Sequence, residues 1–147
     1  MKVEIAVTIA RILAGIKINK IPDKEQKRRL MSDYLVAKRI EDKVENDKKK
    51  LIEKFQEDWK EELPAVEKFR SENKEVVGHD EYLEAEKDAI AGLDGLYAVD
   101  SSLYGEKPEF EKVSADILYD ADLWPEDILL AQIPGSVDFL IANGVAE

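Results

Sequence analysis

Residues 23–62 read DKEQKRRLMSDYLVAKRIEDKVENDKKKLIEKFQEDWKEE, and this stretch decides the fold. It contains neither Gly nor Pro. Leu30, Ala37, Val44 and Leu51 recur every seven residues, and Tyr34 and Phe55 extend the same side. Ile40, Ile52 and Trp59 widen the stripe, whereas Glu41 and Lys48 interrupt it. Apolar residues that return on one side of a 3.6-residue period mark an amphipathic helix. At 1.5 Å per residue such a helix reaches ~60 Å. Charge breaks the seam too often for a regular two-stranded coiled coil. The expectation is a helix that packs against a shorter neighbour as a hairpin and runs beyond it.

The neighbour is Val3–Ile18. Ile5, Ile9, Ile12 and Ile16, with Ala6 and Leu13 beside them, make a helical stripe. Val3, Ile5, Val7 and Ile9 also alternate with Glu4, Ala6 and Thr8, as a half-buried strand would. The run Ala10-Arg11-Ile12-Leu13-Ala14 favours helix and Gly15 weakens it, so helix is preferred and strand stays open. Asn19 to Asp23 reads as a turn, because Pro22 disfavours helix at Ile21. Asp23 is placed to cap the long helix, and Gln26 three residues later is a loose capping-box match.

Beyond residue 62 the elements shorten. Pro64 breaks or kinks the long helix, or occupies the first turn of a new one over Ala65–Ser71. Glu72–Asp80, with Gly78, reads as a hairpin or loop, and Glu81–Leu96 as a helix weakened at its end by Gly92 and Gly95. Ser101–Glu109 is a loop, and Phe110–Leu118 a strand or a short helix. Trp124-Pro125-Glu126-Asp127 has the form of a helix start leading into Ile128–Ala131. Pro134-Gly135 reads as a break, Ser136 as a cap and Asn143-Gly144 as a helix stop. The fold class is mainly α, with α+β left open for the back half. Residues 1–63 are expected to form a helical hairpin and residues 64–147 a smaller, acidic, mostly helical region continuous with it.

Charge follows the same division. Residues 1–70 hold 18 Lys and Arg against 14 acids, and residues 71–147 hold four Lys against 19 acids. The chain as a whole carries −11. Two surfaces of unlike charge suit head-to-tail contact between copies. An acidic isoelectric point near 4.7 argues against nucleic acid as the main partner, since phosphate repels the net charge. With no Cys there is no disulfide, thiolate metal site or Cys nucleophile. Glu4, Arg11 and Lys17 interrupt the apolar start, so neither a cleaved signal peptide nor a membrane-spanning helix is expected.

No residue pattern here carries catalysis. His79 is the only histidine and stands beside Asp80, with no Ser or Cys nucleophile nearby; an exposed loop position explains it. Asp116, Asp120, Asp122, Glu126 and Asp127 form an acidic cluster, but a Ca²⁺ loop begun at Asp120 would put Trp124 and Pro125 at its fifth and sixth positions. Lys24, Lys27, Arg28, Arg29, Lys38, Arg39, Lys43 and Lys48–Lys50 form a basic belt, interleaved with acids as on a solvated face. It lacks the stacking aromatics of a single-strand nucleic-acid platform. Neither G-x-G-x-x-G nor a Walker motif occurs. We therefore expect no catalytic residues, no cofactor and no metal. Leu30, Ala37, Val44, Leu51, Phe55, Trp59, Trp124 and Phe139 are the candidates for protein contact.

The order of parts resembles a known group. An Ile-rich first helix and a Lys-rich turn precede a charged helix ending in Leu51-Ile52-Glu53-Lys54-Phe55. Ala65-Val66-Glu67-Lys68-Phe69 and Glu81–Ala89 follow, and an acidic segment finishes in Phe139-Leu140-Ile141. This pattern is similar to small helical proteins encoded among the structural and assembly genes of tailed bacteriophages and prophages. The resemblance implies a virion component or assembly factor without catalysis, located in the virion or the bacterial host cytoplasm. Its partners would be copies of itself or other virion proteins, in an oligomeric ring or docked on a larger complex. The competing expectation is a regulatory module, an antitoxin-like inhibitor or acidic nucleic-acid mimic, that occupies a basic groove on its partner. A third is an enzyme with an acidic metal site.

Overall fold

The computed structural model describes residues 1–72 and 80–147. Among these residues there are six α-helices and no strand. They are α1 (Val3–Gly15), α2 (Lys24–Asp58), α3 (Leu63–Ser71), α4 (Asp80–Ala98), α5 (Ala115–Leu118) and α6 (Ile133–Ala142). Short 3₁₀ turns lie at Ile18–Lys20, Ser101–Tyr104, Ala121–Leu123 and Leu130–Gln132. The expected hairpin or loop over Glu72–Asp80, and His79 within it, falls largely on residues 73–79, outside the described residues.

The open choice at the N-terminus resolves to helix. Val3, Ala6, Val7, Ile9, Ala10 and Leu13 are buried, a set spaced by three and four residues. A strand would have sent Val3, Val7, Ile9 and Leu13 to one face and Ala6 and Ala10 to the other. The helix ends at Gly15 as Ile16 turns to an extended conformation, and Pro125 packs closely on the glycine, where a Cβ would lie 3.3 Å from its Cγ. The turn then positions α2, whose first turn Asp23 caps by accepting the Gln26 N–H at 2.9 Å. Gln26 does not complete a capping box. Its Oε1 instead accepts the Ser114 N–H at 2.7 Å.

The chain divides into two compact units, Met1–Asp42 with Asp100–Glu147, and Lys43–Val99. The units meet at 42/43 and 99/100, so α2 supplies residues to both. In the first unit α1 and the start of α2 form the expected helix pair. Ile9, Ala10 and Leu13 share one core with Leu30 and Ala37, and Leu118, Trp124, Val137 and Leu140 from the last third close over it. Residues 100–147 complete the core of the first unit.

The segment before α5 is held to α2 by side chains rather than by a backbone ladder. Asp33 Oδ1 accepts the Glu111 N–H at 2.7 Å, Arg29 donates to the Lys112 carbonyl at 3.0 Å, and Gln26 takes the Ser114 N–H. Gln26, Arg29 and Asp33 lie three and four residues apart, on one helix face. The extended backbone beyond them makes a single parallel bridge, Val113 to Ala146, and Lys2 bridges Asp100 antiparallel. These two bridges are all that α+β amounts to among the described residues.

Three local expectations are corrected. Trp124-Pro125 does not start a helix: Trp124 ends a 3₁₀ turn, and Ile128 N–H closes one turn on the Pro125 carbonyl at 3.1 Å. The Trp124 ring is buried, and its indole N–H donates to the Leu118 carbonyl at 2.7 Å, which ties the residue to the core instead of to a following helix. Pro134-Gly135 is not a break. Pro134 sits in the first turn of α6, where its missing N–H has no intrahelical partner to lose, and Ser136 lies inside the helix. α4 runs through Gly92 and Gly95 to Ala98. Pro64 takes the first-turn role in α3, and α6 ends at Asn143-Gly144, where Gly144 adopts φ +79°.

The described residues of the second unit bury few apolar groups. The unit joins the last part of α2 to α3 and α4, and among its described residues only Val44, Val66 and Tyr82 are buried apolar groups. Tyr82 is its centre, with Phe55 tilted against it and Trp59 edge-on, both at 5.5 Å between ring centroids.

Candidate protein-contact groove

The contact candidates separate by burial. Leu30 and Ala37 lie in the core of the first unit together with Trp124, and Val44 is fully buried in the second. These four fill the fold and present no surface to a partner. Phe139 packs partly buried on the first unit's core. Trp59 supports Tyr82. Leu51 and Phe55 line a groove of about 400 Å³ within the second unit, and Trp124 edges a smaller cavity of about 220 Å³ in the first.

Three helices build that groove. From α2 come Leu51, Ile52, Phe55 and Gln56; α3 adds Leu63, Glu67 and Arg70. The α4 wall presents Tyr82, Glu86, Ala89, Ile90 and Leu93, an i, i+4, i+7, i+8, i+11 row on one helix face. Ile90 is 53% exposed, Leu51 40% and Ile52 37%, so the apolar walls stand open. At one side Arg70 donates to Glu86 Oε1 at 2.6 Å, and the Tyr82 hydroxyl donates to Glu86 Oε2 at 3.4 Å. Burial raises the Tyr82 hydroxyl above its ordinary pKa, and the Glu86 carboxylate beside it adds to the effect. Both oxygens of Glu86 are thus engaged, and the trio acts as a clamp between α3 and α4 rather than as an acid–base pair.

Part of the basic belt is paired within the fold. Arg28 pairs with Glu25 at 2.7 Å and with Glu111 at 3.0 Å, and Arg39 faces Glu106 at 3.8 Å. Lys38 bridges Glu41 and Asp42, which hold its ammonium above the usual lysine range. Hydrogen bonds from Arg28 and then Arg29 hold the Glu25 carboxyl down at about 2. Cations of the front half thus meet acids of the back half inside one molecule, which uses part of the charge split that the sequence displays.

Asp33, hidden in the charged run of α2, is the residue that sequence reading missed. It is 1% exposed, and its Oδ2 has no hydrogen-bond partner. Burial pushes its carboxyl up to about 7; the Glu111 carboxylate adds to the rise, and the Glu111 N–H, Arg28 and Arg29 oppose it. Among the described residues no group of three or more His, Cys, Asp or Glu is arranged to hold a metal ion. No helix of theirs is long and apolar enough to cross a membrane. No protein-family model, curated protein or solved structure matches the chain.

Proposed function

We propose that this chain is a non-enzymatic structural or assembly protein that works through protein–protein contacts, of the kind encoded with tailed-phage and prophage structural genes. The observation that carries the reading is the groove of the second unit. A unit that buries three apolar groups among its described residues while leaving Leu51, Ile52 and Ile90 open has apolar surface that a partner can cover. The clamp of Arg70, Glu86 and Tyr82 supports the same reading, since its polar atoms are engaged with one another and none is poised for chemistry.

A bait comparison tests this. Wild-type chain and the exposed-site variant Ile90→Asp are used to capture proteins from cells that carry the gene, with recovery measured by mass spectrometry. The expected result is a virion or assembly component held by the wild type and lost by the variant. Equal recovery by both baits overturns the reading. Light-scattering mass at low and high salt then separates the two modes of assembly. A salt-sensitive mass above 16.7 kDa supports copies joined by unlike charges, and a salt-indifferent 16.7 kDa assigns the contacts to another protein. The acidic α4 favours a second reading, a regulatory module for a basic partner.

A further inference from the structure

Asp33 ties residues 111–114 to α2, and its surroundings suit a neutral acid better than a carboxylate. Its Oδ1 accepts one hydrogen bond, from the Glu111 N–H, and its Oδ2 has no partner. A buried carboxylate needs several donors or a facing cation to offset its lost hydration, whereas the neutral acid gives up far less on burial. The cations that act on Asp33 are Arg28 and Arg29 of α2, and the tied strip brings the like charge of Glu111. Both guanidiniums are engaged elsewhere. Arg28 holds Glu25 at 2.7 Å and the Glu111 carboxylate at 3.0 Å. Arg29 holds Glu25 at 3.1 Å and the Lys112 carbonyl at 3.0 Å.

We propose that Asp33 is a pH-sensitive latch: as the neutral acid it keeps residues 111–114 docked on α2, and loss of its proton makes them open more often. Three side chains of one α2 face make the tie, Gln26 to the Ser114 N–H, Arg29 to the Lys112 carbonyl and Asp33 to the Glu111 N–H. Opening lets water reach Asp33 and hydrate its charge, so ionisation favours the open form. The same charge competes for Arg29, one helical turn before it, against the Lys112 carbonyl that Arg29 now holds. Two of the three ties therefore answer to one proton. The effect extends to residues 145–147, because the Val113 N–H donates to the Val145 carbonyl and the Glu147 N–H to the Val113 carbonyl, both at 3.0 Å. Val113 is fully buried, so opening uncovers apolar core surface, and it does so more often on the alkaline side.

Amide hydrogen exchange on the full chain at pH 6 and pH 8 tests this, with each rate divided by the intrinsic rate at that pH. A carboxyl that titrates at about 7 when enclosed and ~3.9 when open loses about tenfold of its preference for the closed form across that interval. Protection of the Glu111 and Ser114 amides is therefore expected to fall about tenfold as pH rises. At both pH values these amides are expected to be at least about tenfold less protected than α1 amides around Ala10, the mark of a local opening rather than unfolding of the whole unit. In Asp33→Asn their protection is expected to stay level. His79, the only histidine, ordinarily titrates in the same interval and is kept in this variant, which separates the two groups. A carbon-13 titration of the wild-type Asp33 carboxyl, expected to centre at about 7, needs no variant at all. A midpoint below 5, strip amides as protected as those of α1, protection unchanged between pH 6 and 8, or the same fall in Asp33→Asn overturns the proposal.

Discussion

Asp33 shows how one residue can carry a cost that sequence pattern conceals. In the sequence it is an acid among Lys and Arg, which reads as a solvated face. In the fold it is buried, with one oxygen bound to the Glu111 N–H and the other unmatched. Such a carboxyl is more readily held neutral, and its pKa rises to about 7 from burial. The folded state therefore binds the proton more tightly than the unfolded chain. The stability gained is fully present below the unfolded pKa of about 3.9 and is lost as pH rises through about 7. Asp33→Asn keeps an acceptor for Glu111 and carries no charge. Urea unfolding at pH 5 and pH 8 should show the wild type losing ~1–3 kcal/mol more than the variant across that interval. An identical pH dependence in the two proteins would contradict the assignment.

At the level of elements, regular helices were legible and irregular joints were not. The stripe Leu30, Ala37, Val44 located α2 because a long period averages over single charged interruptions. Asp23, Pro64 and Asn143-Gly144 were legible because each satisfies a helix end by its own chemistry. The joints depend on distant partners. Trp124 is fixed by the Leu118 carbonyl and Gln26 by the Ser114 amide, and no local window contains both ends of either bond. The groove was half legible for the same reason. Leu51 and Phe55 stood out on the α2 stripe, but Ile90 gains its meaning only from the wall opposite. Gly92 and Gly95 are a further case: propensity disfavours them, yet α4 passes through both, and a Cβ at either meets nothing within 4 Å. Gly92→Ala should accordingly stabilise the second unit by about 0.5–1 kcal/mol in thermal or urea unfolding, since alanine orders with a smaller entropy loss. Destabilisation would mean that α4 is not helical at that position.

On the scale of the whole molecule, the two units differ in how much they bury, and each contains one of the chain's two tryptophans. Trp124 reports on a core of eighteen buried residues, and Trp59 on the small cluster around Tyr82. Tyr82→Ala removes the centre of that cluster at a cost of ~3–5 kcal/mol. In protein labelled with 5-fluorotryptophan, the Trp59 resonance is expected to shift at lower temperature than the Trp124 resonance in this variant. Coincident transitions would show the units to unfold as one. The division also bears on synthesis, because the first unit is interrupted in sequence by the second. Once the ribosome has made α1 and the start of α2, roughly 100 more residues separate it from Leu140, or ~5–20 s at ordinary elongation rates. Through that interval Ile9, Leu13, Leu30 and Ala37 await Val137 and Leu140, which follow the whole of the second unit. The groove-bearing unit is whole on the nascent chain before the residues that close the first unit's core have been made.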